Sequence, residues 1–279
     1  MEYWHNSEFL RSKLEKISLA GLADRMEEHL DQLLPALKSA NGTATFFVLG
    51  SVAEKYPHLL RRIAGDGHEI ASHGHSHLPL HRLTPESFRA ELRSANAAIQ
   101  SATGKRPAGF RAPRFSLTPR TAWAIPVLRE EGFTYDSSIF PSPLTPHGSR
   151  RAPRTPYRIA APDIFTPSPD GSALLELPVA VYPLAGIRIP MGGGIYFRAL
   201  PGFLTRSMIG SLARRQPTTL YFHTHEFDPV IGKSLPFRSP KTFVKYVGTK
   251  GSWENFLRLI GSIHPLSIEQ YLLAHAVPA

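Results

Sequence analysis

Short apolar runs alternate with longer amphipathic runs along this chain, and that alternation limits the fold more than any single motif. Ile17, Leu22, Met26, Leu30, Leu33 and Leu37 recur at helical spacing until Asn41-Gly42 stops them. Residues Thr43–Leu49 then read as a strand, Ser51–Gly65 as a helix and Glu69–Ser72 as a short strand. Thr84-Pro85-Glu86 supplies a cap and a first-turn proline, and opens a helix that ends near Gly104. Gly109–Arg111 and Phe133–Asp136 read as strands, with a second capped helix from Thr118-Pro119 to Gly132 between them. Further on, Leu174–Leu177 and Thr218–Phe222 read as strands. Pro201–Arg215, Trp253–Ile260 and, more weakly, Ile268–His275 read as helices. Strands alternating with helices call for an α/β fold with a mostly parallel sheet.

The chain has 279 residues, of which 42% are hydrophobic and 19% charged. That is enough to bury a substantial core, and it excludes a fully disordered or collagen-like chain. No repeat and no interior linker stands out, so one domain over 1–279 is expected. Proline reaches 26 residues, about twice its usual share, and gathers in 140–172. That stretch also carries Arg150, Arg151, Arg154 and Arg158, with no acid between Asp136 and Asp163; it reads as a long, irregular, basic insertion. Cysteine is absent, which excludes disulfides, cysteine-ligated zinc, iron–sulfur clusters and a cysteine nucleophile. The most apolar stretch, Leu174–Phe197, is broken by Glu176, Arg188, three prolines and four glycines, so no membrane span is expected. The opening residues, MEYWHNSEF, have neither the basic nor the apolar part of a signal peptide, and a cytoplasmic location is expected. A net charge of +10 fits contact with anionic polymers or membrane surfaces, and equally a merely basic protein.

Reactive side chains fall at strand ends. His73 and His77 follow one strand, Arg111 and Asp136 end two others, and His223 and His225 end a fourth. In parallel α/β barrels the carboxyl ends of the strands share one face, which carries the active site. In His73-Gly74-His75-Ser76-His77, two histidines four apart would share one side of a helical turn and reach one ion. A polar loop that happens to be rich in histidine fits the same spacing, since the chain has 13 histidines. If an ion is held, a carboxylate is the expected third ligand. Two nitrogens, one oxygen and open positions suit Zn²⁺ or a similar divalent ion.

Several segments together resemble the polysaccharide deacetylase family (NodB-homology, carbohydrate esterase 4). They are Thr45–Gly50, Gly67–His73 with His77, Arg111-Ala112-Pro113 and Tyr135–Ser138. Pro190–Gly194, Tyr196-Phe197-Arg198 and Tyr221-Phe222-His223 resemble its bacterial exopolysaccharide-associated branch. The resemblance runs from residue 1 to about 260. It implies a distorted (β/α) barrel with fewer than eight regular strands. It also implies metal-dependent removal of N-acetyl or O-acetyl groups from a glycan, with no nucleic-acid partner and peripheral contact with a membrane-associated polysaccharide synthesis system.

By that resemblance His73 and His77 are metal ligands with Glu2 as the carboxylate, and the ion is Zn²⁺. Arg111 orients the catalytic base and His223 is the general acid. Asp136 either holds His223 or caps the following turn. Pro113, Gly193, Tyr196 and His225 are expected to meet substrate. Gly192–Gly194 would let a sugar approach the backbone or would form a plain turn. The family's first motif places its base aspartate just before the carboxylate ligand, so both this aspartate and the first strand are expected before Met1, with a misplaced start as the cause. A sugar-binding pseudoenzyme and an amidase for small amides are the competing functions on the same fold.

Overall fold

A computed structural model describes residues 25–170, 173–227, 248 and 251–275. Its first element, α1 (Met26–Ser39), buries Met26, Leu30, Leu34 and Leu37 on one face. Burying each such side chain contributes about 1.5–3 kcal/mol. Asn41 takes a positive φ of 48° and the N–H of Gly42 donates to Leu37 O, so the helix stops where the sequence indicates.

The main sheet has the order β1-β2-β3-β4-β6-β5. Its members are β1 (Thr45–Val48), β2 (Glu69–Ser72), β3 (Gly109–Phe110), β4 (Tyr135–Asp136), β5 (Tyr157–Ile159) and β6 (Leu174–Glu176). All pairs are parallel except β5–β6. Parallel neighbours need crossover connections, and helices supply them. These are α2 (Gly50–Lys55) and α3 (Pro57–Gly65) after β1, α4 (Pro85–Thr103) after β2, and α5 (Ala124–Glu130) after β3. Among the described residues β1 is an edge strand and the sheet is open. The expected α/β class with a mostly parallel sheet holds.

Local chemistry explains the close fits and the departures. In α4 the Thr84 hydroxyl accepts from Ser87 N–H, Pro85 takes the first turn, and Gly104 ends the helix in the left-handed region. The expected single helix over Ser51–Gly65 is two helices, because Pro57 has no N–H with which to continue the first and instead opens the second. The helix expected from Pro119 begins as a 3₁₀ turn at Pro119–Thr121 and becomes α-helical only at Ala124. A Cβ on Gly109 would lie 1.8 Å from Tyr135 Cζ, so only glycine lets that ring cross β3.

The proline-rich segment is more ordered than its composition suggests. It supplies β5, and Ala152, Ile159, Ile164 and Phe165 join the buried cluster of Phe88, Phe110 and Leu128. A hairpin of β7 (Val181–Leu184) and β8 (Ile187–Pro190) follows β6. Pro183 inside β7 hides it from a reading based on strand patterns. Next come α6 (Ile195–Ala199) and α7 (Gly202–Ala213), and the described chain ends with α8 (Ser252–Ile263) and α9 (Ile268–Ala274). The strand expected at Thr218–Phe222 reduces to one parallel bridge, Thr219 with Val179, reinforced by Ala180 N–H donating to Thr219 O.

Candidate active site

Ladder register sets the height of three side chains. His73 N–H donates to Val48 O at 2.9 Å, Arg111 N–H to Ser72 O at 3.0 Å, and Ser137 N–H to Phe110 O at 3.0 Å. Each residue therefore stands just past a strand end, on the face where a parallel sheet collects its site. A cavity of about 920 Å³ opens there, between β1 and residues 216–224; His73, His77, Arg111, Phe115, Tyr221 and His223 are among its lining.

His73 is 8% exposed, and its Nδ1 lies 2.6 Å from Arg111 O. The carbonyl can only accept, so Nδ1 carries the proton and Nε2 keeps its lone pair. This is the usual second contact of a metal-bound imidazole. The rings of His73 and His77 are 5.3 Å apart. They do not share a helical turn, as the spacing suggested. Residues 73–77 form a loop with positive φ at Gly74 (76°) and His77 (61°), and this bend brings the rings together. The loop is fastened by Glu91 on α4, whose carboxylate accepts from His75 N–H (3.0 Å), Ser76 N–H (2.9 Å) and the Ser76 hydroxyl (2.7 Å). The two imidazoles suit a divalent ion that takes further ligands from elsewhere. Among the described residues no group of three histidines or carboxylates could hold one, and Glu2 lies outside them.

Arg111 is buried. Its Nε donates to Ser137 O (2.8 Å) and its Nη2 to Ser137 Oγ (2.7 Å), while its guanidinium lies 4.1 Å from the centre of the Phe47 ring. Burial pulls its pKa down to about 10, which leaves it cationic at neutral pH. Asp136 is fully buried, and it accepts from Ser138 N–H (3.1 Å) and Ser138 Oγ–H (2.6 Å). Ser138 Oγ in turn accepts from Ala112 N–H at 2.7 Å. Asp136 therefore caps its own turn and latches the Arg111-Ala112-Pro113 segment. A direct catalytic role does not fit its complete burial. Glu176, its partner in register on β6, is also fully buried. Burial, then the neighbouring Asp136, raises the Glu176 pKa well above the usual range, and burial raises that of Asp136 as well.

The carboxylate at His223 is Glu226. It is 1% exposed, and its Oε1 lies 2.5 Å from His223 Nδ1. Its Oε2 accepts from Gly194 N–H at 2.6 Å and lies 4.0 Å from Arg198 Nη1. A Cβ on Gly193 would lie 2.7 Å from Glu226 Oε1 and 2.8 Å from Tyr221 O. A side chain there would thus collide with the protein's own Tyr221 and Glu226.

Residues 20–135 match the polysaccharide deacetylase family model, and residues 137–273 match a domain of unknown function, DUF3473. The chain carries a polysaccharide deacetylase domain followed by this second domain. A peptidoglycan deacetylase of Helicobacter pylori is 29% identical over 161 residues, 56% of this chain and 54% of the relative. A peptidoglycan-N-acetylglucosamine deacetylase of Bacillus cereus is 35% identical over 86 residues, 31% of each chain. A chitooligosaccharide deacetylase of Bradyrhizobium is 38% identical over 96 residues, 34% of this chain and 42% of the relative. The chain therefore spans about a third to a half of these relatives. A solved structure from Mycobacterium smegmatis, named for the same family, has a TM-score of 0.55 at 22% identity, covering 95% of this chain and 85% of that one; this likeness supports the fold.

The sheet takes β1–β3 and Tyr135 of β4 from the first matched segment and β5 and β6 from the second. Of the residues expected to meet substrate, Pro113 is buried beside Gly74, while Arg114 and Phe115 after it line the cavity. Tyr196 donates its hydroxyl to Leu144 O at 3.3 Å. The His225 side chain lies outside the described residues. Sequence reading missed Glu226 and Glu91. Glu226 could have been found three residues after His223, on the same 3₁₀ turn (Thr224–Phe227). Glu91 carries no local signal, because the loop that it holds lies 15 residues earlier.

Proposed function

We propose that this protein is a divalent-metal-dependent deacetylase of an N-acetylated glycan, Zn²⁺ being the ion that best suits its nitrogen donors. The exopolysaccharide-associated reading of its sequence supports peripheral contact of the protein with a membrane-associated polysaccharide synthesis system. The supporting observation is the convergence of His73, His77, Arg111 and His223, from separate segments, on one cavity.

His73 Nε2 and the His77 ring would hold the ion, with Glu2 as the proposed carboxylate. Bound there, such an ion supplies a Lewis acid for the acetyl carbonyl and lowers the pKa of a bound water. Arg111 keeps a positive charge beside the reacting group, and its backbone carbonyl fixes the tautomer of His73. As an imidazolium, His223 would keep its Nδ1–H hydrogen-bonded to Glu226 and give its Nε2 proton to the departing amine, leaving the neutral ring; imidazole suits that task near neutral pH. Among the described residues no carboxylate lines the cavity, so the water-activating base is not one of them.

Metal analysis and turnover of an N-acetylglucosamine oligomer test the proposal together. The protein should bind a divalent ion and release acetate, and His73→Ala/His77→Ala should lose both. Full metal retention in that variant would remove the two histidines from the site. Turnover of small amides but not of the oligomer would move the activity to another class.

A further inference from the structure

The β7–β8 hairpin ends in an apolar tip with arginines around its base. The two strands pair from Val181 with Pro190 to Leu184 with Ile187. Both turn residues have positive φ, 46° at Ala185 and 77° at Gly186, as tight two-residue hairpins require. Asparagine, aspartate or glycine would adopt the first of these positions more easily. The chain has alanine there, so no polar side chain stands between Leu184 and Ile187. These two residues oppose each other in the ladder and are 53% and 51% exposed. Leu144 is exposed close by: its N–H donates to Ser142 Oγ, and the Ser142 hydroxyl donates to Arg188 O.

Cations surround this tip. Arg150 donates to Gly186 O at the turn itself. Arg188 donates to Ala152 O at 2.8 Å; burial, and after it the like charges of Arg154 and Arg150, lower its pKa. The described acid nearest to Arg150 and Arg154 in sequence, Asp163, pairs with Arg151. Single exposed apolar residues are ordinary on a protein surface. An opposed pair at the end of a projecting hairpin, with residues 183–187 all exposed, is a different arrangement. Apolar side chains can enter the headgroup boundary of a bilayer while arginines behind them meet lipid phosphates.

We propose that Leu184 and Ile187, backed by Arg150, Arg154 and Arg188, form a docking face for an anionic lipid membrane. An acidic polysaccharide would use the arginines but would gain nothing from exposed leucine and isoleucine. The face adjoins the active site: Tyr196, next to the glycine loop that holds Glu226, donates to Leu144 O. Docking would set the catalytic rim against the membrane, which gives the peripheral contact proposed above a definite place. The inference does not depend on the deacetylase reading, because vesicle binding is measured without turnover.

Sedimentation of the full chain with vesicles tests it. Binding to phosphatidylcholine vesicles containing about one-third phosphatidylglycerol should exceed binding to phosphatidylcholine alone by at least ~10-fold. Leu184→Ser/Ile187→Ser should lower that binding about 10-fold or more, with an unchanged circular dichroism spectrum because both positions are exposed. Arg150→Glu should lower it at least ~fivefold and weaken its salt dependence. As an independent reading, the tryptophan emission of Ile187→Trp should shift to the blue when anionic vesicles are added. Equal binding to neutral and anionic vesicles would overturn the proposal. So would an unshifted tryptophan, or undiminished binding of the serine variant together with competition by a soluble polyuronate, which would make the face a polysaccharide site.

Discussion

The two sides of the active-site rim are built by different means. His73, Arg111 and Ser137 each follow a strand of a parallel ladder, and backbone bonds to Val48, Ser72 and Phe110 fix their heights. His223 follows a segment joined to its neighbour by a single bridge at Thr219, and its ring is placed by one buried carboxylate, Glu226. A ladder spreads the cost of positioning over many bonds. A ring held by one side chain depends on that side chain. The His73–Arg111 side should therefore tolerate changes in its surroundings better than the His223 side does.

The largest expected effect is on the His223 side. His223→Ala should keep its metal and its thermal transition while kcat falls ~10²–10⁴-fold, the usual worth of a positioned proton donor. If the variant unfolds, or turns over normally, His223 is a packing residue. Glu226→Gln sharpens the contrast. A neutral amide no longer stabilises the imidazolium that must form before His223 can donate from Nε2, and a loss on the order of 10²-fold in kcat with little change in KM is expected. Arg198, 4.0 Å away and buried, would lose its counter-charge, so the melting temperature should fall as well. Unchanged kcat would show that the sheet alone places the ring.

On the His73–Arg111 side, Glu91→Ala removes three hydrogen bonds from the His73–His77 loop but leaves the ladder intact. Metal affinity should drop about 10–100-fold, the scale seen for outer-shell partners, without loss of fold. Glu91→Gln should recover most of it, since its carbonyl oxygen can still accept from His75 and Ser76. Equal affinities in all three proteins would mean that the positive-φ bend holds itself.

The smallest effect concerns the carboxyl pair beneath the rim. Glu176 has its pKa raised by burial and by Asp136. Between the unfolded and folded pKa values the unfolded chain binds fewer protons, so stability falls as pH rises through that window. Glu176→Gln copies the neutral acid and should flatten that fall, which denaturant unfolding followed from pH 4.5 upwards would detect. An identical slope in the variant would place the shared proton elsewhere.

Much of the His73–Arg111 side was legible in the sequence. Glu69–Ser72 and His73, or Gly109–Arg111, carry their meaning locally, because a strand followed by a polar residue puts that residue on the sheet's carboxyl edge. The second half was less legible. Pro183 masked β7, the prolines of 140–172 masked a segment that buries Ile159 and Ile164, and Thr218–Phe222 looked like a full strand because its apolar residues meet α8 and the cavity in place of a continuous ladder. Asp136 could be read as a partner for His223 because sequence order says nothing about which strands lie side by side.

By itself the sequence determined the α/β class, the capped helix over 85–103 and the strand-end positions of His73 and Arg111, since each follows from local pattern and period; the resemblance of several motifs pointed to the family. Only the tertiary structure decided that Asp136 pairs with Glu176, that Glu226 holds His223, that Glu91 ties down the histidine loop, and that Leu184 and Ile187 project from the surface. Those pairings join residues through space, where burial removes water as a competing partner and makes an unpaired charge costly. Local spacing carries no record of that competition.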